Sequence, residues 1–210
     1  MMAPRIIAGL VADINPDSGQ WLIVDVGFSS NEQSCGVWNG AGEPYVVTFG
    51  DLVRLAIQEV QEPVSGPLNL LLEAPLSVAF RENGNPTRRV CDTQDGRHRD
   101  WYVNAGATTL IAAGYLLLAV HRCQRQREVR LFEGFVSFRH PDDRPTNRAQ
   151  RIASHIADVW ALRNAVWNHA NANIFGPGEL QQDPNDHIES AFSFLDGDIV
   201  PPVIRYSPLA

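Results

Sequence analysis

The apolar positions along the chain fall into short continuous runs and longer runs with helical spacing. Short apolar runs that contain β-branched residues and end at turn residues are typical of strands. They predict strands at 21–26, 34–38, 45–49, 68–74 and 129–138. Apolar residues three and four positions apart predict helices that begin at Asp51 and cover 51–60, 105–123, about 146–172 and about 184–195. The tail at 199–206 is expected to pack as an edge segment.

The order of these elements predicts an α/β fold built on a mixed sheet. Three successive strands form an antiparallel meander, and a crossover helix then leads to a parallel strand. After a long loop follow a helix, a strand and two helices. The 210 residues are expected to form a single domain, 1–210, with a basic loop insertion at about 81–100.

Composition narrows the class of protein. The chain is 44% hydrophobic and 20% charged, which is typical of a globular domain. It has no uninterrupted apolar run of roughly 18 residues, so no membrane partner is expected. Its three cysteines, Cys35, Cys91 and Cys123, are odd in number and lack a CxxC pair. They argue against a disulfide framework or a zinc knuckle and predict a cytoplasmic protein.

The charge is unevenly distributed. The formal net charge is −7, yet the segment 81–151 holds 13 Arg against 8 acids, or +5, which leaves −12 for the remainder. A basic middle in an acidic chain is typical either of an anion-binding face or of a solvated surface. The arginines expected to contact nucleic-acid phosphates are Arg81, Arg88, Arg89, Arg97 and Arg99. A second basic cluster comprises Arg139, His140, Arg144, Arg148 and Arg151.

Two acids lie inside apolar strands. Asp25 is in the run WLIVDVG, and Glu73 is in the run LNLLLEAP. A carboxylate in a buried strand is costly unless it is paired or binds a cation. Both acids lie near the carboxyl ends of their strands, where ligands bind in open α/β sheets. If the two strands are neighbours, both side chains emerge at one edge of the sheet.

A third acidic group lies in the last predicted helix. Asp186 and Glu189 are three residues apart and share a helix face. A set of hard oxygen ligands drawn from Asp25, Glu73, Asp186 and Glu189 suits Mg²⁺ or Mn²⁺. Glu133, a further strand acid, and His187 are possible accessory residues.

Each of these acids also has a structural alternative. Asp25 can cap the turn that follows its strand, and Glu73 can pair with a buried arginine. Asp186 can be a helix N-cap, with Glu189 completing a capping box.

Several motifs together resemble the RNase H-like nucleases of unknown function, a branch of the ribonuclease H-like superfamily. They are VDVG with Asp25, CGVW, LLLEAPLSVAF with Glu73, RLFEGFVSF with Glu133 and DHIESAFSFL with Glu189. The resemblance implies an RNase H-like fold and a divalent-metal nuclease. The chain departs from the usual family pattern with Glu in place of Asp at 73 and 189, and it lacks a Pro in the 133 segment.

The leading hypothesis is a nuclease that hydrolyses phosphodiesters with Mg²⁺ or Mn²⁺, with Asp25, Glu73 and Glu189 as catalytic residues. Its expected partner is nucleic acid, and the oligomeric state is open. The first alternative is a catalytically inactive RNase H-like module that binds or assembles. The second is an actin- or sugar-kinase-like nucleotide-binding domain, suggested by the turn DVGFSS.

Overall fold

The computed structural model describes residues 5–30, 33–136, 145–169, 171–195 and 199–207. In chain order its strands are β1 (Ile6–Ala8), β2 (Gln20–Asp25), β3 (Cys35–Trp38), β4 (Tyr45–Val47), β5 (Leu68–Glu73), β6 (Ser77–Phe80), β7 (Pro86–Thr87), β8 (Thr93–Gln94), β9 (Arg97–His98), β10 (Val129–Val136), β11 (Ala172–Phe175), β12 (His187–Ser190) and β13 (Val203–Tyr206). Its α-helices are α1 (Phe49–Gln61), α2 (Asn104–Arg122) and α3 (Arg148–Asn168).

A mixed sheet of eight strands forms the centre of the structure. Its strand order is β11-β13-β10-β5-β2-β3-β4, and β1 pairs with β10 beside this path. Strands β2, β3 and β4 form an antiparallel meander. Strand β5 runs parallel to both β2 and β10. The predicted α/β class, with a meander and parallel strands flanked by helices, is confirmed.

The two faces of the sheet pack against different helices. Strand side chains alternate between faces, so Leu22 and Val24 point to one side and Trp21 and Ile23 to the other. The first side packs with α1 and α2 into a large core. The second side packs against α3, where Leu162 is fully buried. The sheet is therefore a layer between helices on both faces.

Helices α1 and α3 begin at side-chain caps, whereas the N-cap of α2, Val103, makes no side-chain cap hydrogen bond. The N-cap of α1 is Thr48, whose side chain accepts a hydrogen bond from the Asp51 N–H at 3.1 Å. The prediction that Asp51 starts this helix was therefore wrong by one turn. Asn147 caps α3 and accepts from the Gln150 N–H at 3.0 Å.

Helix α2 is long and apolar enough to cross a membrane by length and composition alone. Within its 19 residues, an 18-residue stretch has a mean hydropathy of 1.3, and 33% of that stretch is buried. Its buried face, which includes Leu116 and Val120, packs in the large core. Core helices of globular domains meet the same criterion, so this finding is weak evidence for a membrane partner.

Two predictions near the C-terminus were wrong. The expected helix at 184–195 is instead a turn followed by strand β12, which pairs antiparallel with β6. Burial alternates along β12, with His187 and Glu189 exposed, which is strand periodicity. The tail forms β13 between β10 and β11, so it is inside the sheet rather than at its edge.

The segment 81–100 is more ordered than a loop. It contains β7, a short 3₁₀ turn at Val90–Asp92 and the hairpin formed by β8 and β9. Arg89 lies at its centre with 2% of its surface exposed. Its guanidinium forms salt bridges of 2.8 Å with Asp92 and 2.7 Å with Glu133.

Arg89 ties this segment to the central sheet. Its Nη1 also donates to the Ser77 carbonyl and hydroxyl oxygens at 3.0 and 2.9 Å. Burial by itself would lower the pKa of Arg89, but Glu133 and Asp92 raise it well above its ordinary value. A buried, fully hydrogen-bonded guanidinium is a structural group, so Arg89 is removed from the predicted set of phosphate contacts.

We predict that Arg89→Met lowers the free energy of unfolding by about 3–5 kcal/mol, because it leaves Glu133 as an uncompensated buried charge. Urea unfolding followed by circular dichroism measures this change. The matched control is Arg97→Met on exposed β9, for which we expect a change within about 0.5 kcal/mol.

The double variant Arg89→Met/Glu133→Leu separates charge from packing. Because it removes both buried charges, it should be more stable than Arg89→Met alone. Equal stability of Arg89→Met and the natural protein would contradict the proposed role of this ion pair.

Candidate metal centre

Sheet register brings Asp25 and Glu73 together. Strands β2 and β5 are parallel neighbours, and Asp25 is the direct register partner of Glu73. Both follow the alternation of Ile23 and Leu71, which pack on the face covered by α3. The condition stated for the sequence, that the two strands are neighbours, is met, and both carboxylates emerge at their carboxyl ends.

Helix α3, which packs on this face of the sheet, adds a third carboxylate. Asp158 is 8% exposed and belongs to the buried face of α3, next to Val159 and one turn before Leu162. The helix lies close to the sheet because β3 carries a glycine beneath it. A Cβ built on Gly36 would lie 2.6 Å from the His155 carbonyl oxygen.

The three carboxylates form a compact group. One oxygen each from Asp25, Glu73 and Asp158 lies within 4.8 Å of the others, and this is the group of potential metal ligands found among the described residues. Asp25 is 8% exposed and Glu73 is half-buried. Like charges at this spacing in a partly buried position repel one another strongly, and a divalent cation relieves that repulsion.

His155 contacts the group through Asp25. Its Nδ1 lies 2.5 Å from Asp25 Oδ2. An ionised carboxylate only accepts hydrogen bonds, so we assign the proton to Nδ1. His155 precedes Asp158 by three positions, which places both side chains on the same face of α3. The imidazole thereby fixes the orientation of the Asp25 carboxylate.

A backbone contact positions Glu73. Its Oε1 accepts a hydrogen bond from the Val136 N–H at 3.3 Å. Strand β10 runs parallel to β5, so this contact joins the ends of two neighbouring strands. The carboxylate is thus held at the sheet edge rather than extended into solvent.

The acids predicted near the C-terminus lie outside this group. Glu189 is exposed on β12, which pairs with β6 instead of packing as a helix on the sheet edge. The Asp186 carboxylate accepts the Asp183 N–H at 3.3 Å and shapes the preceding turn. His187 is exposed on the same strand as Glu189. The prediction that Asp186 and Glu189 join Asp25 and Glu73 is therefore corrected, and Asp158 takes their place.

Glu133 faces the opposite side of the sheet. Its register partner on β5 is Leu72, which points into the core formed with α1 and α2. The carboxylate accepts from the Leu76 N–H at 2.8 Å and pairs with Arg89. Burial raises its pKa, and the charge of Arg89 opposes this rise. Glu133 therefore pairs with a buried arginine, which is the kind of structural role that the sequence also left open for Glu73.

The remaining arginines of the 81–99 set have mixed environments. Arg81 and Arg97 are exposed. Arg88 forms a 2.5 Å salt bridge with Asp100, and the Arg99 guanidinium lies 5.0 Å from the centre of the Phe135 ring. In the second basic cluster Arg139, His140 and Arg144 lie outside the described residues, whereas Arg148 and Arg151 occupy the first two turns of α3.

A cysteine near the site is not a nucleophile. Cys35 is fully buried on β3, and its thiol lies 3.1 Å from the Gly27 carbonyl oxygen. Burial raises the pKa of Cys35 to about 11. The thiol is therefore protonated at neutral pH, which excludes thiolate chemistry here.

Asp158 could have been found from the sequence as an acid on the buried face of its helix, but the apolar pattern of that helix is ambiguous. In α3 the buried positions are Asp158, Val159, Leu162, Ala165 and Val166. An acid on that stripe is the helical equivalent of an acid inside an apolar strand. Ile156 and Trp160 lie beside this stripe and are as apolar as its members in the sequence, yet they are only half-buried.

Comparisons of the chain with family models, curated proteins and solved structures found no match. The family resemblance of its motifs therefore remains a prediction. The function is argued below from the chemistry and geometry of the site itself.

We predict that Gly36→Ala weakens the metal centre without touching a carboxylate. The added methyl group displaces α3, and overpacking of this kind costs about 1–3 kcal/mol of stability. The same displacement moves Asp158 away from Asp25 and Glu73, so Mn²⁺ affinity falls as well. Thermal unfolding and calorimetric titration of Mn²⁺ measure the two effects.

The control for this variant is Gly178→Ala, because a Cβ at that position meets no atom within 4 Å. It should match the natural protein in both measurements. Unchanged Mn²⁺ affinity in a destabilised Gly36→Ala protein would show that the contact of α3 with β3 does not position the centre.

Proposed function

We propose that this protein is a divalent-metal-dependent phosphodiesterase of RNase H-like fold that acts on nucleic acid. The observation that carries the proposal is the convergence of Asp25, Glu73 and Asp158 from two parallel strands and a helix to within 4.8 Å. Residues separated by 48 and 85 positions meet at the carboxyl edge of the sheet, where α/β folds bind their ligands.

The element order supports the fold part of the proposal. An antiparallel meander, β2 to β4, is followed by α1, parallel β5, α2, parallel β10 and α3. The ribonuclease H core has this order of elements, which agrees with the motif resemblance. The strands β11 and β13 extend the sheet beyond β10.

The donor set fits Mg²⁺ or Mn²⁺. Three carboxylates supply hard oxygen ligands, and Cys35 is buried as a neutral thiol. Such donors select Mg²⁺ or Mn²⁺ over zinc. When bound, these ions activate water and stabilise the leaving oxygen in phosphodiester hydrolysis.

The protein residues around the ions have separate roles. Asp25, Glu73 and Asp158 would hold the metal ion. Because they lie on two strands and a helix, the fold fixes the positions of their oxygens. His155 holds Asp25 through Nδ1, which leaves Nε2 as the acceptor side of the ring. An acceptor nitrogen beside the metal ligands is suited to take a proton from water during hydrolysis.

We predict that Asp158→Asn lowers both Mn²⁺ affinity and nuclease activity, the latter by about 100-fold or more, because a charged metal ligand is lost. The measurements are calorimetric titration of Mn²⁺ and cleavage of labelled single- and double-stranded DNA and RNA. Glu189→Gln is the matched control and should retain both properties, since Glu189 is exposed on β12.

Two outcomes would contradict the proposal. Cleavage that persists in EDTA or in Asp158→Asn would exclude metal-dependent catalysis at this group. Binding of Mn²⁺ without cleavage of any of the four substrates would instead favour the inactive binding module.

A further inference from the structure

A polar cavity opens beside the three carboxylates. Its volume is about 420 Å³, and it lies between the turn after β2 and the first two turns of α3. Ser29 and Ser30 line it on one side, and Arg148, Arg151 and His155 line it on the other. Nothing in the proposed hydrolysis assigns a role to this cavity.

The chemistry of the lining favours an anion. The described lining residues that can donate hydrogen bonds include two arginines, three serines and a glutamine; His155 and Ile152 complete the described lining, which has no acid. This is notable in a chain of net charge −7. The cavity also faces the first turns of α3, where the helix dipole adds partial positive charge. Arginine and hydroxyl donors are the usual ligands of phosphate oxygens.

The cavity is contiguous with the carboxylate group. His155 lines the cavity and contacts Asp25 at 2.5 Å, so one side chain separates the two sites. The basic cavity therefore lies beside the carboxylate group, which can accept a phosphate only when cations neutralise its charge. Phosphates follow one another along a nucleic-acid strand at roughly 3.4 Å of axial rise per nucleotide. A strand with one phosphate at the carboxylates therefore has another phosphate close by.

We propose that this cavity binds the backbone phosphate next to the scissile one in a polynucleotide substrate. The inference rests on the proposed function for the position of the scissile phosphate. None of the described lining residues is Phe, Tyr or Trp, and Ile152 is the one apolar residue among them. Since the His155 ring is already held by Asp25 and no larger aromatic side chain is present to stack on a base, we assign the cavity to the backbone, where it confers no sequence preference.

The cavity draws its arginines from the second basic cluster rather than from the 81–99 segment. Arg148 and Arg151 belong to α3, the helix that also carries Asp158. Substrate binding and metal binding are therefore positioned by one rigid element. This arrangement sets the phosphate and the carboxylates at a fixed spacing.

The test is equilibrium binding of a fluorescein-labelled 20-nucleotide single-stranded DNA in EDTA, where metal-dependent cleavage is absent. We expect Arg148→Gln/Arg151→Gln to weaken binding by about tenfold or more at low salt. The slope of log Kd against log salt should fall by about 0.7, the value for one lost phosphate contact on a single strand. Arg148→Lys/Arg151→Lys keeps the charge and should restore part of the affinity.

The matched control is Arg54→Gln/Arg122→Gln, which removes the same charge from exposed positions on α1 and α2. It should bind the oligonucleotide within about twofold of the natural protein. Affinity and salt slope of Arg148→Gln/Arg151→Gln equal to those of this control would overturn the inference. Thermal unfolding of each variant verifies that it is folded.

Competition identifies the source of the phosphate. If inorganic phosphate or a mononucleotide displaces the probe as well as unlabelled oligonucleotide does, the ligand is a free phosphate, and the assignment to a polynucleotide is overturned. A different result tests the proposed function: if the natural protein does not bind Mn²⁺, the metal-dependent mechanism is wrong. Loss of oligonucleotide binding in Arg148→Gln/Arg151→Gln would then still support phosphate binding in the cavity.

Discussion

Three partly buried carboxylates held against one another are the constraint on which the rest of the site depends. Asp25, Glu73 and Asp158 place carboxylate oxygens within 4.8 Å of one another, and carboxylates this close repel unless a cation, a hydrogen-bond donor or a proton offsets their charge. On the opposite face of the same sheet, a buried carboxylate is stabilised in a different way. There Glu133 is neutralised by Arg89 at 2.7 Å. A guanidinium makes a buried acid structural, whereas a cluster of acids at a strand edge is suited to bind a cation.

The packing of α3 converts this constraint into a site. The helix approaches β3 closely over Gly36 and covers the face that carries Asp25 and Glu73. It supplies Asp158, the His155 contact to Asp25 and the two arginines that line the neighbouring cavity. Metal binding, proton transfer and phosphate binding would then all depend on how α3 packs against the sheet. The buried Arg89 network supports the other side of the sheet edge by anchoring the 81–100 segment.

Much of the central sheet followed from the sequence, because buried strands have a strong local pattern. The positions of Asp25 and Glu73 were predictable from an acid inside an apolar run, and their pairing followed from parallel neighbouring strands. Asp158 was missed because its helix has an ambiguous apolar face, with half-buried tryptophans beside the buried stripe. The last segment was misjudged because the short β12 forms by pairing with β6, a contact that local spacing does not encode. Arg89 looked like a surface cation because burial of a charge depends on distant partners.

The most direct test of the central claim is a crystal structure of the protein grown with Mn²⁺, with anomalous diffraction used to locate the ion. The account predicts an anomalous peak between Asp25, Glu73 and Asp158, with carboxylate oxygens at roughly 2.1 Å, close to the distance for Mg²⁺. No peak at this position, or a peak only at other acids, would contradict the assignment of these residues as a metal centre.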